Sequence, residues 1–366
     1  KNYKNQYLSF SFDYNQRPML VIRERINLKN TQNFFIINAS IIFLGACNGS
    51  SSNDPSMEGT LNIIYAEQSN GTIKGSPGSN TVSYFEISHP INVDLMKPSE
   101  QVTFHKYTHT LIDIQNIIGT DFDDVLSDDT GNNTLTGGLG CDTFLISHGT
   151  NTITDLETCD IFIVAEGATL NGLVKEEFIA SEETTSAGIV NLTGGNFPTG
   201  HLDAEIDMTL ASGGNFTIST SSQNDTLTGG ALNDNLYGNA GSDTFIINFG
   251  IDSILDLSTG DTLIVSNGAT ANATGISNFV ATNLTANRGE ANLTSDDGGS
   301  IIDVTNSAAG GYTLIGGLGV DVLSGGAQAD SLFGNESDDI LRGGLGSDTL
   351  AGGDGTWHEG IGTSQR

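Results

Sequence analysis

Apolar residues recur at every ninth position along much of this 366-residue chain. The run at 316–351 reads GGLGVDVLS, GGAQADSLF, GNESDDILR and GGLGSDTLA, with Leu323, Leu332, Leu341 and Leu350 at position 8 of each unit and Asp at position 6. A period of nine fits neither a 3.6-residue helix nor a simple alternating strand. It predicts a tight turn of about six residues followed by a strand of about three, whose middle side chain points inward. A strand with one buried residue cannot stand alone, so the units must stack into a solenoid. Two strands and two turns make one coil of about 18 residues, which places units i and i+2 on the same edge.

The register recurs twice upstream. Over 119–163 position 8 is Leu126, Leu135, Phe144, Ile153 and Phe162, and over 220–264 it is Leu227, Leu236, Phe245, Ile254 and Leu263. Asp142 and Asp243 stand 101 positions apart, as do Asp160 and Asp261, so a larger unit is duplicated. In both copies the last two units lose the glycines of positions 1 and 2 and keep the core residue. The segments 164–219 and 265–306 are rich in Thr, Ser, Asn and Ala, with strand-like fragments that predict coils of irregular length. Short strands without a clean repeat over 59–118 predict an N-terminal cap or leading turns. His105 and His109 lie there, and their spacing predicts one shared strand face. The third block, 307–355, gives way at 356–366 to a tail in which Trp357 takes the place of the expected Asp. The predicted class is all-β, a right-handed parallel β-roll or β-helix.

Charge sharpens the picture. The net charge is −31, but 6 of the 13 basic residues precede residue 30, and from Cys47 onward 7 basic residues face 42 acidic ones. A compact body so charged repels itself, nucleic acid and anionic lipid unless cations join it. Basic residues after Met19, an apolar run over 34–46 and a small-residue exit read as an export signal over 1–47. Leu44-Gly45-Ala46-Cys47, followed by a polar tether at 48–58, resembles the bacterial lipoprotein cleavage box, which implies a lipid anchor on Cys47 as the sole membrane attachment.

The turns carry the candidate chemistry. Gly316, Gly317 and Gly319 open backbone angles that turn carbonyls toward one point, and Asp321 closes the turn with a carboxylate. The same roles fall to Gly325 and Asp330, to Gly334 and Asp339, and to Gly343, Gly344, Gly346 and Asp348. Upstream they fall to Asp225, Gly229, Asp234, Gly238, Gly241 and Asp243, and to Asp124, Gly137, Gly140 and Asp142. One turn offers too few oxygens for calcium, which takes six to eight, but two stacked turns can share an ion. Magnesium suits such flexible carbonyl-rich sites poorly, and no dense Cys/His cluster suggests zinc.

These units resemble the hemolysin-type calcium-binding repeats of the RTX family, whose pattern is G-G-x-G-x-D-x-U-x. The units at 137, 316 and 343 fit throughout, and the unit at 238 departs only at Asn239. Asn133 and Asn151 replace the aspartate in the first block. The resemblance implies a β-roll that binds several calcium ions and folds in the calcium-rich extracellular medium, on a secreted or cell-surface protein with a structural or adhesive role and a surface polysaccharide or matrix as partner. There is no HExxH and no G-x-S-x-G, so the protease and lipase often joined to such repeats are absent from this stretch. A polysaccharide lyase or epimerase, or the non-catalytic tail of a larger enzyme, remains the competing reading. Cys141 and Cys159 lie 18 positions apart, one coil, within reach of a disulfide if the coils stack; two free thiols are the other possibility.

Overall fold

The computed structural model describes residues 62–97, 99–197, 200–201, 203–355 and 358–360. The expected export segment, the expected lipid anchor at Cys47, the expected tether and Trp357 lie outside the described residues. Strands of three or four residues dominate, as one inward side chain per turn requires. They pair in parallel at a step of 18: Phe144 lies between Leu126 and Phe162, and Leu332 between Leu314 and Leu350. Every position-8 residue from Leu126 to Leu341 is fully buried, and these residues form a continuous apolar column. The fold is a right-handed parallel β-solenoid, as the period predicts.

One fifteen-stranded sheet runs from Asn62–Tyr65 to Thr349–Ala351 and takes a strand from each coil. Three sheets face it in succession. The first contains Val125–Ser127, Thr143–Ile146 and Ile161–Val164, the second Thr226–Thr228, Thr244–Ile247 and Thr262–Val265, and the third Val322–Ser324 and Ile340–Arg342. The nonapeptide blocks are two-sided, with tight turns on both edges.

Between the blocks the coil gains a third side, which the period does not reveal. From Thr169–Val174 in the long sheet the chain enters the second opposing sheet at Glu177–Ile179, touches the first at Thr185–Ser186, and returns at Ile189–Gly194. The coil lengthens to 20 residues, Thr169 pairing with Ile189 and, in the duplicate, Thr270 with Glu290. Each three-sided coil thus ends one opposing sheet and starts the next. In the first of them Phe178 stacks on Phe162 of the preceding block, with ring centroids 5.7 Å apart.

At the N-terminal end Asn92–Asp94, Val102–Phe104 and Tyr107–Ile112 form antiparallel hairpins beside the first parallel turns. The two histidines do not share a face, because His105 sits in the hairpin turn at φ 49° while His109 lies on the following strand. His105 is exposed and stacks on His89, whereas buried His109 bonds the Tyr84 hydroxyl at 3.0 Å and the Ser69 carbonyl at 2.7 Å.

The inward column makes a direct prediction. Leu236 is fully buried and Leu345, at a turn tip, is 70% exposed. Leu236→Ala should destabilise the folded protein by about 2–5 kcal/mol, and Leu345→Ala by no more than about 0.5 kcal/mol, in chemical denaturation of the calcium-loaded chain.

Candidate metal-binding turns

Each turn ends on a position-6 side chain that reaches back to the coil before it. The Asp142 Oδ1 accepts the Asp124 N–H at 2.8 Å, and Asp160 does the same for Asp142 at 2.8 Å. The second block repeats this through Asp243 on Asp225, Asp261 on Asp243 and Asp252 on Asp234, and the third through Asp339 on Asp321 and Asp348 on Asp330, all within 2.8–3.0 Å. The second carboxylate oxygen often closes its own turn. Oδ2 of Asp321 accepts the Gly317 N–H at 2.8 Å, and Oδ2 of Asp330 the Gly326 N–H at 2.7 Å. Aspartate has the reach for both contacts, and these buried carboxylates form columns along each edge of the roll.

Position 1 must be glycine for a spatial reason. Where a Cβ of Gly316 would sit, the Asp321 Oδ2 and the Gly334 carbonyl oxygen converge, the latter from the next coil on that edge. The same cradle forms at Gly119 from Asp124 and Gly137, at Gly325 from Asp330 and Gly343, and at Gly334 from Asp339 and Gly352. At Gly229 two carboxylates meet, from Asp234 and Asp252. At Gly137, Gly238 and Gly343 the oxygen facing the gap comes from Asp142, Asp243 and Asp348.

The other glycines have separate roles. Gly140, Gly241 and Gly346 have φ of 118°, 146° and 117°, and a Cβ on any of them, or on Gly319, would strike the backbone of the preceding coil. They permit stacking and do not line the cradle. At position 2, Gly344 has φ 94°, and Asn239 and Asn335 adopt φ of 66° and 70° in its place, a region asparagine tolerates.

The carboxylate columns are electrostatically costly. Burial, reinforced by repulsion from Asp160, Asp124 and Asp155, pushes the Asp142 carboxyl up to about 8. Burial raises Asp243 to about 7, with repulsion from Asp261 and Asp225 added, and raises Asp252 to about 7, with Asp234 as its charged neighbour. Besides Asp128 Oδ1, two buried carboxylate oxygens, Asp252 Oδ2 and Asp339 Oδ2, have no hydrogen-bond partner among the described residues. Both face glycine cradles. An unpartnered buried carboxylate oxygen beside backbone carbonyls is a donor set for a hard cation that takes oxygen ligands. No three His, Cys, Asp or Glu side chains converge among the described residues, so an ion seated there would need carbonyl oxygens as well as carboxylates.

The degenerate units differ. Asp128 stands where the glycine should be, and its carboxylate fills the gap, accepting the N–H groups of Ser147 and His148 at 2.8 Å and the Asn151 amide at 3.1 Å. Asn133 and Asn151 keep the contact between coils, at 2.7 Å, without the charge. Asp155 accepts the N–H groups of Gly137 and Gly138, and Asp256 those of Gly238 and Asn239. Cys141 and Cys159 are joined by a disulfide across the same edge, with Cα atoms 5.1 Å apart. Asp160, Asp252 and Asp261 were in register at position 6 but lacked the glycines that marked their neighbours as candidates.

No curated protein matches the chain. Residues 117–145, 217–254 and 315–350 match the family described as RTX calcium-binding nonapeptide repeat (4 copies), segments that fall on the three sets of stacked turns. In sequence these three segments are similar to RTX calcium-binding nonapeptide repeats, and their 18-residue coils stack in the register that such a repeat requires.

Proposed function

We propose that the protein is an extracellular calcium-binding β-roll whose folding depends on the ions seated between its turns. The observation that carries this reading is the glycine cradle, where carbonyl and carboxylate oxygens of successive coils converge with buried oxygens left unpartnered. Calcium would be held at Gly316 by Asp321 and the Gly334 carbonyl, at Gly325 by Asp330 and the Gly343 carbonyl, at Gly334 by Asp339 and the Gly352 carbonyl, and at Gly229 by Asp234 and Asp252. When bound, it supplies the positive charge that the carboxylate columns lack. Because ligands from two coils meet only in the folded chain, calcium binds the folded state alone and stabilises it by mass action. A chain that folds where calcium is abundant suits the outside of a cell, where a long rigid roll serves a structural or adhesive role.

The test is a calcium titration of the calcium-free chain followed by circular dichroism. β structure should appear cooperatively at roughly 10⁻⁴–10⁻³ M calcium, the range of extracellular modules. A spectrum insensitive to calcium would overturn the reading. Asp339→Asn keeps an oxygen for the Asp321 N–H and removes the charge at the cradle. It should raise the calcium midpoint severalfold while leaving the calcium-saturated spectrum unchanged.

The raised carboxyls also set a pH dependence. Unfolded aspartate titrates near 3.9, whereas folded Asp142, Asp243 and Asp252 hold their protons to about 7 or 8. Between these limits the folded metal-free chain binds more protons than the unfolded one, so its stability falls as pH rises. With calcium present the sign reverses, because protons compete with the ion for the same oxygens. In chelator, circular dichroism should therefore show more residual β structure at pH 5.5 than at pH 8, whereas in saturating calcium the thermal midpoint should be higher at pH 8.

A further inference from the structure

The outer face of the long sheet is set apart by its lack of charge. In a protein of net charge −31, the strands of this sheet contain three ionisable carboxylates, Asp155, Asp252 and Glu290, of which the first two are buried. Glu290 lies outside the two central outward columns. The opposing sheets are different, with Glu177, Glu205 and Asp207 outward on the second, and Asp303 and Arg342 on the third.

One outward column runs in unbroken register from Asn116 and Thr134 to Ser331 and Thr349, with Thr, Asn or Ser in every coil between. At about 4.8 Å per strand it spans roughly 60 Å. These side chains are already tied to one another: Asn171 with Asn191 at 3.0 Å, Asn272 with Asn292 at 2.9 Å, and, in the adjacent column, Thr136 with Thr154 at 2.7 Å. That second column mixes Thr and Ser with half-buried Tyr237, Ile315 and Phe333. The face therefore offers a straight row of groups that both donate and accept hydrogen bonds, beside a column in which apolar and aromatic side chains, Tyr237 and the Ile315–Phe333 pair among them, alternate with Thr and Ser.

We propose that this face binds an extended, uncharged polysaccharide. A sugar chain presents the matching pair of properties, hydroxyl edges and apolar ring faces, repeated along a line. Hydroxyl and amide side chains can satisfy either sense of a hydroxyl's hydrogen bond, and aromatic rings pack against apolar ring faces. Their mutual hydrogen bonds restrict their rotamers before binding, which lowers the entropy lost on association. The charge distribution selects the class. The acidic field of the molecule repels an anionic glycan and a second copy of the chain, and leaves a neutral polymer unopposed. The inference rests on the calcium-folded roll proposed above, since only the stacked coils bring the columns into line.

Calcium-loaded protein, shown to be folded by circular dichroism, would be sedimented with insoluble cellulose and with chitin, and tested against hyaluronate as an acidic glycan. Retention on one or both neutral polymers is expected, unchanged between about 0.1 and 1 M salt because no ion pairs are involved. The nearly isosteric double variant Asn191→Asp/Asn235→Asp should lose roughly tenfold or more in affinity, since it places unpaired charges on the contact face. Tyr237→Ala, which adds no charge, should weaken retention in the same direction. Thr244→Asp, outward on the opposing sheet, should leave it unchanged. The proposal is overturned if the folded protein is retained on neither neutral polymer, if hyaluronate is preferred, if the variants bind as well as the parent, or if the double variant instead dissociates a dimer. A chain that fails to fold with calcium would refute the earlier reading, and the spectrum distinguishes that result from a folded chain that does not bind.

Discussion

The structure depends on one contact: an aspartate carboxylate at the end of each turn, hydrogen-bonded to the backbone N–H of the equivalent residue one coil earlier. This contact sets the stacking distance on each edge and aligns the three-residue strands for pairing. It also buries a line of like charges. Hydrophobic burial at position 8 holds the coil closed, but it does nothing to offset that repulsion. The fold is therefore built with an electrostatic deficit at its edges, and the glycine at position 1 keeps open the space in which a cation can make it good.

The three blocks answer this deficit differently. In the third, Gly316, Gly325 and Gly334 each face a carboxylate and the carbonyl of the next coil. In the first, Asp128 fills the cradle with its own side chain, Asn133 and Asn151 remove the charge, and Asp155 caps the N–H groups of Gly137 and Gly138. The Cys141–Cys159 disulfide adds a covalent tie across a separation of 18 residues, and a closed loop of that size restricts the unfolded chain by about 3 kcal/mol. The first block thus mixes hydrogen-bonded and covalent closures with an open cradle at Gly119, whereas the third has such cradles at Gly316, Gly325 and Gly334.

Much of this was legible because a nine-residue period leaves a mark at every level. The position-8 residues gave the core, the 18-residue coil gave the strand pairing, and both survive in units such as 146–154 where the glycines of positions 1 and 2 are gone. The third side of the intervening coils was not legible, because Glu177–Ile179 and Thr185–Ser186 follow corners of unequal length that share no period. At Asp128, where the repeat pattern has glycine, the side chain bonds across the coils to Ser147, His148 and Asn151, a contact the pattern alone does not reveal. The stacking role of Gly319 was hidden for a similar reason: its constraint comes from the backbone of Gly298 and Gly299, in a coil outside the repeat. The uncharged outer columns were present in the sequence at positions 7 and 9 of alternate units, but the pairing register was needed to join them into one face.

The central claim is that a cation sits where a glycine side chain is missing and a carboxylate from position 6 meets a carbonyl from the next coil. A crystal structure of the calcium-loaded protein, with anomalous scattering used to locate the ions, tests it most directly. The account predicts calcium peaks between Gly316 and the Gly334 carbonyl, between Gly325 and the Gly343 carbonyl, and between Asp234 and Asp252, with none between the turns ending at Asn133 and Asn151. Empty cradles in the third block, or an ion between the two asparagine turns, would contradict it.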